Sequence, residues 1–142
     1  MIDGAEADLA RSVWRGLSEV ALDRDRKIAV SEALGISWTR VLALRRLASG
    51  PLTLRALAES LAADPPYATV MIDDLERRGL VQRKPHPEDR RAKLVALTSS
   101  GRAAAARADQ ILDEPPPALR AVSAKDLAAV LRVLERLRAR KP

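Results

Sequence analysis

TLRALAESL (53–61), ADPPYATVMIDDLERRG (63–79) and LVQRKPHPEDRRAKLVALTSSG (80–101) are the pieces whose reading decides the fold. In the first, Thr53 is a side-chain cap, and Leu54, Leu57, Ala58 and Leu61 fall on one helical stripe, leaving Arg55 and Glu59 outward. In the second, Asp64 followed by Pro65 is a strong helix start, because proline suits the first helical position. Ala68, Met71, Ile72 and Leu75 then form an apolar face, and Gly79 supplies the left-handed stop. The connection Ala62-Ala63-Asp64 is as tight as a helix-turn-helix requires. After Gly79 the periodicity changes: Leu80–Lys84 and Leu94–Thr98 read as short strands around a loop with Pro85, Pro87 and a charged tip. Helix, turn, helix and basic hairpin in this order is a shape that reads duplex DNA.

Outward from this stretch, the chain reads as helical on both sides. Leu9, Val13, Leu17 and Val20 repeat at helical spacing, and the pattern runs through Ile28 towards Leu34 before Gly35, which predicts a long first helix. Ser37 is placed to cap a second helix over Trp38–Ala48, apolar on several faces through Val41, Leu42, Leu44 and Leu47. Gly50-Pro51 ends it. Beyond the hairpin, Thr98 or Ser99 caps a helix from about Gly101 to Leu112, stopped by Pro115-Pro116-Pro117. Ser123 and Asp126 resemble a capping box for a last amphipathic helix with Leu127, Val130, Leu131, Leu134 and Leu137 on one stripe.

Composition narrows the function. The 142 residues suit one domain, and with two Trp, one Tyr and no Phe the core is short of bulk, so a partner subunit is expected to complete it. There is no cysteine to form disulfides or thiolate sites, and a lone histidine, His86, makes no His-based metal centre. No apolar run reaches membrane-span length, and the acidic start Met-Ile-Asp-Gly-Ala-Glu lacks a signal peptide's charged and apolar regions, which predicts a cytoplasmic protein. No nucleophile elbow, dinucleotide fingerprint or phosphate loop is present, so an enzyme is not expected, nor is any cofactor or metal. His86, between prolines, reads as a solvent-exposed loop residue.

The net charge of +6 fits a nucleic-acid partner, but its distribution says more. Residues 83–102 hold six basic against two acidic side chains; residues 1–36 hold five against seven, and residues 119–142 seven against two. The hairpin is therefore positive, and the two terminal regions carry opposite charge that can set a pairing between subunits. The alternative is that both terminal helices pack only within their own chain.

Thr53–Gly101 resembles the winged helix-turn-helix of the MarR family of bacterial regulators, through LAESL at 57–61, LERRGLV at 75–81, PEDRRA at 87–92 and LVALTSSGR at 94–102. The resemblance implies a mainly α fold with a two-stranded β wing. It places a DNA-binding lobe over 37–101 and dimerisation helices over 1–36 and 102–142, within one domain spanning 1–142. It also implies a homodimer, usually a repressor, on a pseudo-palindromic operator of double-stranded DNA. A small organic effector, bound between the dimer helices and the lobe, would release it. By the same resemblance, Asp89 holds the wing tip, Arg91 enters the minor groove and Arg90 meets backbone phosphate.

The residues themselves add detail. The first turns of the second helix would present Pro66, Tyr67, Thr69 and Val70 to base edges, without the basic readers the family more often places there. Readout then rests on Thr69 and on apolar contact of Tyr67 or Val70 with thymine methyls, while Asp73 and Asp74 would repel phosphate. Arg77 and Arg78 either touch phosphate or simply suit a helix C-terminus, and Arg90, Arg91 and Lys93 at the wing are the stronger DNA candidates. Trp14, Trp38, Arg15 and Arg45 are candidate pocket residues for an acidic or phenolic effector, with core packing the other role for the tryptophans. The rival function is a winged-helix protein-interaction module with weak or non-specific DNA binding.

Overall fold

The computed structural model describes residues 4–21 and 24–140. The chain forms two compact units, 1–112 and 113–142. The first unit holds α1 (Gly4–Ala21), α2 (Arg24–Leu34), α3 (Trp38–Leu47), β1 (Leu52–Thr53), α4 (Leu54–Ser60), α5 (Pro65–Arg77), β2 (Val81–Pro85), β3 (Lys93–Leu97) and all but the last residue of α6 (Ser99–Asp113). The long first helix expected from the sequence is described as α1 and α2, and residues 22–23 between them, like the first three residues of the acidic start, lie outside the described residues.

The core lies under the winged lobe. Val41, Ala43, Leu44 and Leu47 of α3 meet Leu57 of α4, Met71, Ile72 and Leu75 of α5, Val81 and Val95 of the strands, and Ala105 and Ala108 of α6. Val30 is the contribution of α2, whereas α1 buries no residue. Small alanines on α6 let that helix approach closely, and aliphatic side chains fill what aromatics would otherwise occupy.

The caps follow the local chemistry. Thr53 accepts the N–H of Ala56, and Asp64 accepts that of Tyr67, with Pro65 at the first helical position. Gly79, at φ 73°, closes α5: its N–H reaches the carbonyl of Glu76 and that of Leu80 the carbonyl of Leu75. Ala62 does the same for α4 at φ 51°, with N–H bonds from Ala62 to Glu59 and from Ala63 to Ala58. A non-glycine residue therefore holds the left-handed position inside the helix-turn-helix.

One local expectation is corrected. Ser37 has the extended backbone of an N-cap but no side-chain cap bond; its hydroxyl accepts from Arg40 Nη1 at 3.1 Å instead. The expected two-stranded wing is formed by β2 and β3, and a short strand β1 extends it to a sheet of order β1-β3-β2, because Leu52 and Thr53 pair with Val95 and Leu94 before Thr53 turns into its capping role. The wing hairpin pairs Val81 with Leu97 through Pro85 with Lys93, and Pro85 is tolerated because β2 is an edge. Thr98, one of the two expected caps, accepts from Gly101 N at 3.0 Å, and α6 begins at Ser99, two residues before the expected start.

The second unit carries α7 (Pro117–Arg120), a single turn that begins at the last of the three prolines, and α8 (Ala124–Ala139). Arg120 pairs with Glu114, and Ser123 accepts the N–H of Asp126 at the start of α8. No residue of α8 is buried: Val130, Leu131, Val133 and Leu137 are exposed, as are Leu9, Val13, Trp14 and Val20 of α1. No helix among the described residues is long and apolar enough to cross a membrane.

Candidate nucleic-acid interface

The outer face of α5 is set by its inner one. With Ala68, Met71, Ile72 and Leu75 buried, helical spacing turns Pro66, Tyr67, Thr69 and Val70 to solvent, Val70 at 59% exposure. The Thr69 hydroxyl donates to the Pro65 carbonyl at 3.1 Å, so what it still offers outward is acceptor lone pairs and a methyl group.

The two aspartates do not stand as bare charges. Asp74, whose side chain is 18% exposed, accepts from Arg40 Nε at 2.7 Å and from Arg78 Nε at 3.0 Å. Burial pushes its carboxyl up, but the hydrogen bonds and charges of Arg78 and Arg40 outweigh this and hold it below the ordinary value. Arg78 also donates to the Gly35 carbonyl at 3.2 Å, so it ties the end of α5 to the end of α2. Asp73 pairs with Arg83 Nη2 of β2 at 2.6 Å. Both carboxylates, expected as bare charges, are thus ion-paired: Asp74 with Arg40 of α3 and with Arg78 one turn on, and Asp73 with Arg83 of the wing. Arg77 is 75% exposed with only a 3.6 Å approach to Asp74, so its charge is largely turned outward.

The wing tip is organised by side-chain acceptors. Asp89 Oδ1 accepts the N–H of Arg91 at 2.9 Å, and its carbonyl accepts that of Ala92 at 3.2 Å. His86 is half-buried rather than fully exposed, and its Nδ1 accepts from the N–H groups of Glu88 and Asp89 at 3.1 and 3.2 Å. Sequence reasoning missed this role because the acceptor geometry depends on the loop closing. Arg90, Arg91 and Lys93 are exposed, and among the described residues none of them makes an ion pair. Beside the hairpin, a cleft of about 370 Å³ is lined by Thr53, Arg55, Arg83, Arg91, Lys93 and Val95.

The four candidate pocket residues are not brought together within one chain. Trp14 is 71% exposed on α1, with Arg15 exposed beside it. Trp38 packs against the core, its ring centre 5.5 Å from Lys27 Nζ. Arg45 pairs with Asp109 at 2.7 Å in a hollow of about 220 Å³ that neither tryptophan lines. Among the described residues no group of three or more His, Cys, Asp or Glu is placed to hold a metal.

An exposed helix face, a tight turn before it and a basic hairpin after it define a winged helix-turn-helix protein. Residues 36–93 match the model of the MarR family. The chain as a whole is similar in fold to solved structures of that family. Apo wild-type MarR from E. coli matches with a TM-score of 0.69 and 22% identity, covering 96% of this chain and 97% of that one. YusO from Bacillus subtilis gives 0.67 and 19%, covering 99% of both. A MepR–DNA complex from S. aureus gives 0.60 and 22%, covering 91% of this chain and 98% of the other.

Proposed function

We propose that this protein is a DNA-binding transcriptional regulator that acts as a homodimer, in the cytoplasm, on a pseudo-palindromic operator. The observation that carries the reading is the pairing of a neutralised recognition helix with unpaired wing cations. Tyr67, Thr69 and Val70 face outward from α5, its aspartates are cancelled by arginine, and Arg90, Arg91 and Lys93 remain free for phosphate and the minor groove. The S. aureus relative solved with DNA supports the same use of this fold. With no basic reader in the first turns of α5, direct readout relies on Thr69 and thymine contacts, and the preference leans to A·T-rich operators.

Dimerisation rests on the open apolar stripes of α1 and α8 and on the opposite charge of the terminal regions. Two copies would set recognition helices roughly 34 to 36 Å apart, one DNA turn. Repression is the expected mode, relieved by a small organic effector whose binding prefers the dimer geometry that fits DNA poorly. A chain without cysteine and with one histidine leaves little for thiol or metal sensing.

The test is a quantitative gel shift on duplex DNA from upstream of the gene. The reading predicts tight binding with a steep salt slope, and a loss of about tenfold or more for Arg91→Ala. Weak binding indifferent to sequence and unmoved by Arg91→Ala would favour a winged-helix module that binds other proteins.

A further inference from the structure

Arg83 joins the two halves of the lobe. From β2 its side chain reaches two carboxylates on the outer side of α5, Nη2 to Asp73 Oδ1 at 2.6 Å and Nη1 to Glu76 Oε1 at 2.9 Å. Its backbone N–H closes the contact from the strand side, donating to Glu76 Oε2 at 3.2 Å. The guanidinium is 22% exposed, and both terminal nitrogens are used. A charged fork held in this geometry is directional and strong compared with a surface lysine pair.

We infer that Arg83 is a positioning residue for DNA binding: it cancels the recognition helix's own carboxylates and fixes the wing against that helix, rather than contacting DNA itself. The inference rests on the DNA-binding reading above. Asp73 and Glu76 lie on the same helix as Tyr67, Thr69 and Val70, and two uncompensated carboxylates within about 10 Å of a phosphate chain are not screened at ordinary salt. Asp74 needs no such help, being held by Arg40 and Arg78. Asp73 and Glu76 have Arg83 in common, and among the described residues no other cation pairs with them. Loss of Arg83 therefore adds repulsion at the interface and frees the base of the hairpin that aims Arg90 and Arg91.

The experiment compares binding of the full chain to the upstream duplex for wild type, Arg83→Met, Arg83→Lys, Asp73→Asn/Glu76→Gln and the triple variant, each checked for an intact thermal transition. The inference predicts a loss of about tenfold for Arg83→Met and recovery to within about threefold of wild type in the triple variant. Arg83→Lys, which keeps the charge but loses the fork, should fall between, and the double variant, whose amide oxygens can still accept from the Arg83 fork, should bind within about threefold of wild type. A triple variant as weak as Arg83→Met would overturn the inference and make Arg83 a direct DNA contact; Arg83→Met binding as wild type does would overturn it too, leaving Arg83 without a role in binding. If Arg83→Met loses its thermal transition, the Lys and triple variants decide by the same criteria. Failure of wild type itself to bind the duplex would overturn the DNA-binding reading, and the inference with it.

Discussion

Asp89 and Arg91 are joined at the wing tip by a hydrogen bond within two residues: the Asp89 carboxylate accepts the Arg91 backbone N–H at 2.9 Å. The bond fixes the turn without consuming the Arg91 guanidinium. Asp89 thus shapes the tip while Arg91 keeps its charge for a partner. Asp89→Ala should weaken duplex binding by about three- to tenfold, since an exposed bond of this kind contributes about 1 kcal/mol of local order. Asp89→Asn retains an acceptor and should bind nearly as wild type. Equal losses in the two variants, measured by gel shift, would mean that the charge of Asp89 matters and its turn geometry does not.

Asp74 gives a pH signature. Its folded carboxyl titrates below the ordinary 3.8 because Arg78 and Arg40 outweigh the effect of burial. A depressed acid stabilises the fold fully above its ordinary value and ceases to do so as pH falls through the folded value. Asp74→Asn should therefore melt lower than wild type at pH 7, and the gap should close below pH 3.8. A gap that persists unchanged into strong acid would show that shape, not charge, holds α5 to α3.

Gly101 marks a close approach. A Cβ there would lie 1.9 Å from the Leu80 carbonyl oxygen, which also accepts the N–H of Thr98 at 3.1 Å. Because the obstacle is backbone, Gly101→Ala should destabilise by about 1 to 3 kcal/mol despite alanine's better helix propensity. Thermal or urea unfolding checks it, and a rise in stability would contradict the packing described.

Ala62 offers the opposite change. Its φ of 51° in the turn before α5 is a conformation glycine adopts without cost. Ala62→Gly should stabilise by about 0.5 to 1 kcal/mol, the left-handed penalty less the added freedom of the unfolded chain. A loss in denaturant midpoint would mean the Ala62 methyl makes a contact worth more than its strain.

The parts of this fold that sequence reasoning reached are those specified within a few residues. Thr53, Asp64-Pro65, Gly79 and Ser123 cap their helices through neighbours three or four positions away, and the stripe on α5 follows from its period. What escaped was set by distant partners. Arg40 reaches Asp74 across 34 positions and Arg83 reaches Asp73 across ten, so neither pairing leaves a local pattern, and the aspartates read as liabilities when taken alone. The strand β1 is two residues long and exists through its pairing with β3. His86 gained its role from the closure of a loop, which a single histidine between prolines does not announce.

The central claim, that a symmetric pair of these lobes reads a DNA site, is tested most directly by DNase I footprinting of the upstream region with the full-length protein. The account predicts protection of one pseudo-palindrome whose half-sites are centred about 10 base pairs apart, lost at the same protein concentration with Arg91→Ala. Uniform protection along the fragment, or none at concentrations where the protein is folded and dimeric, would contradict it.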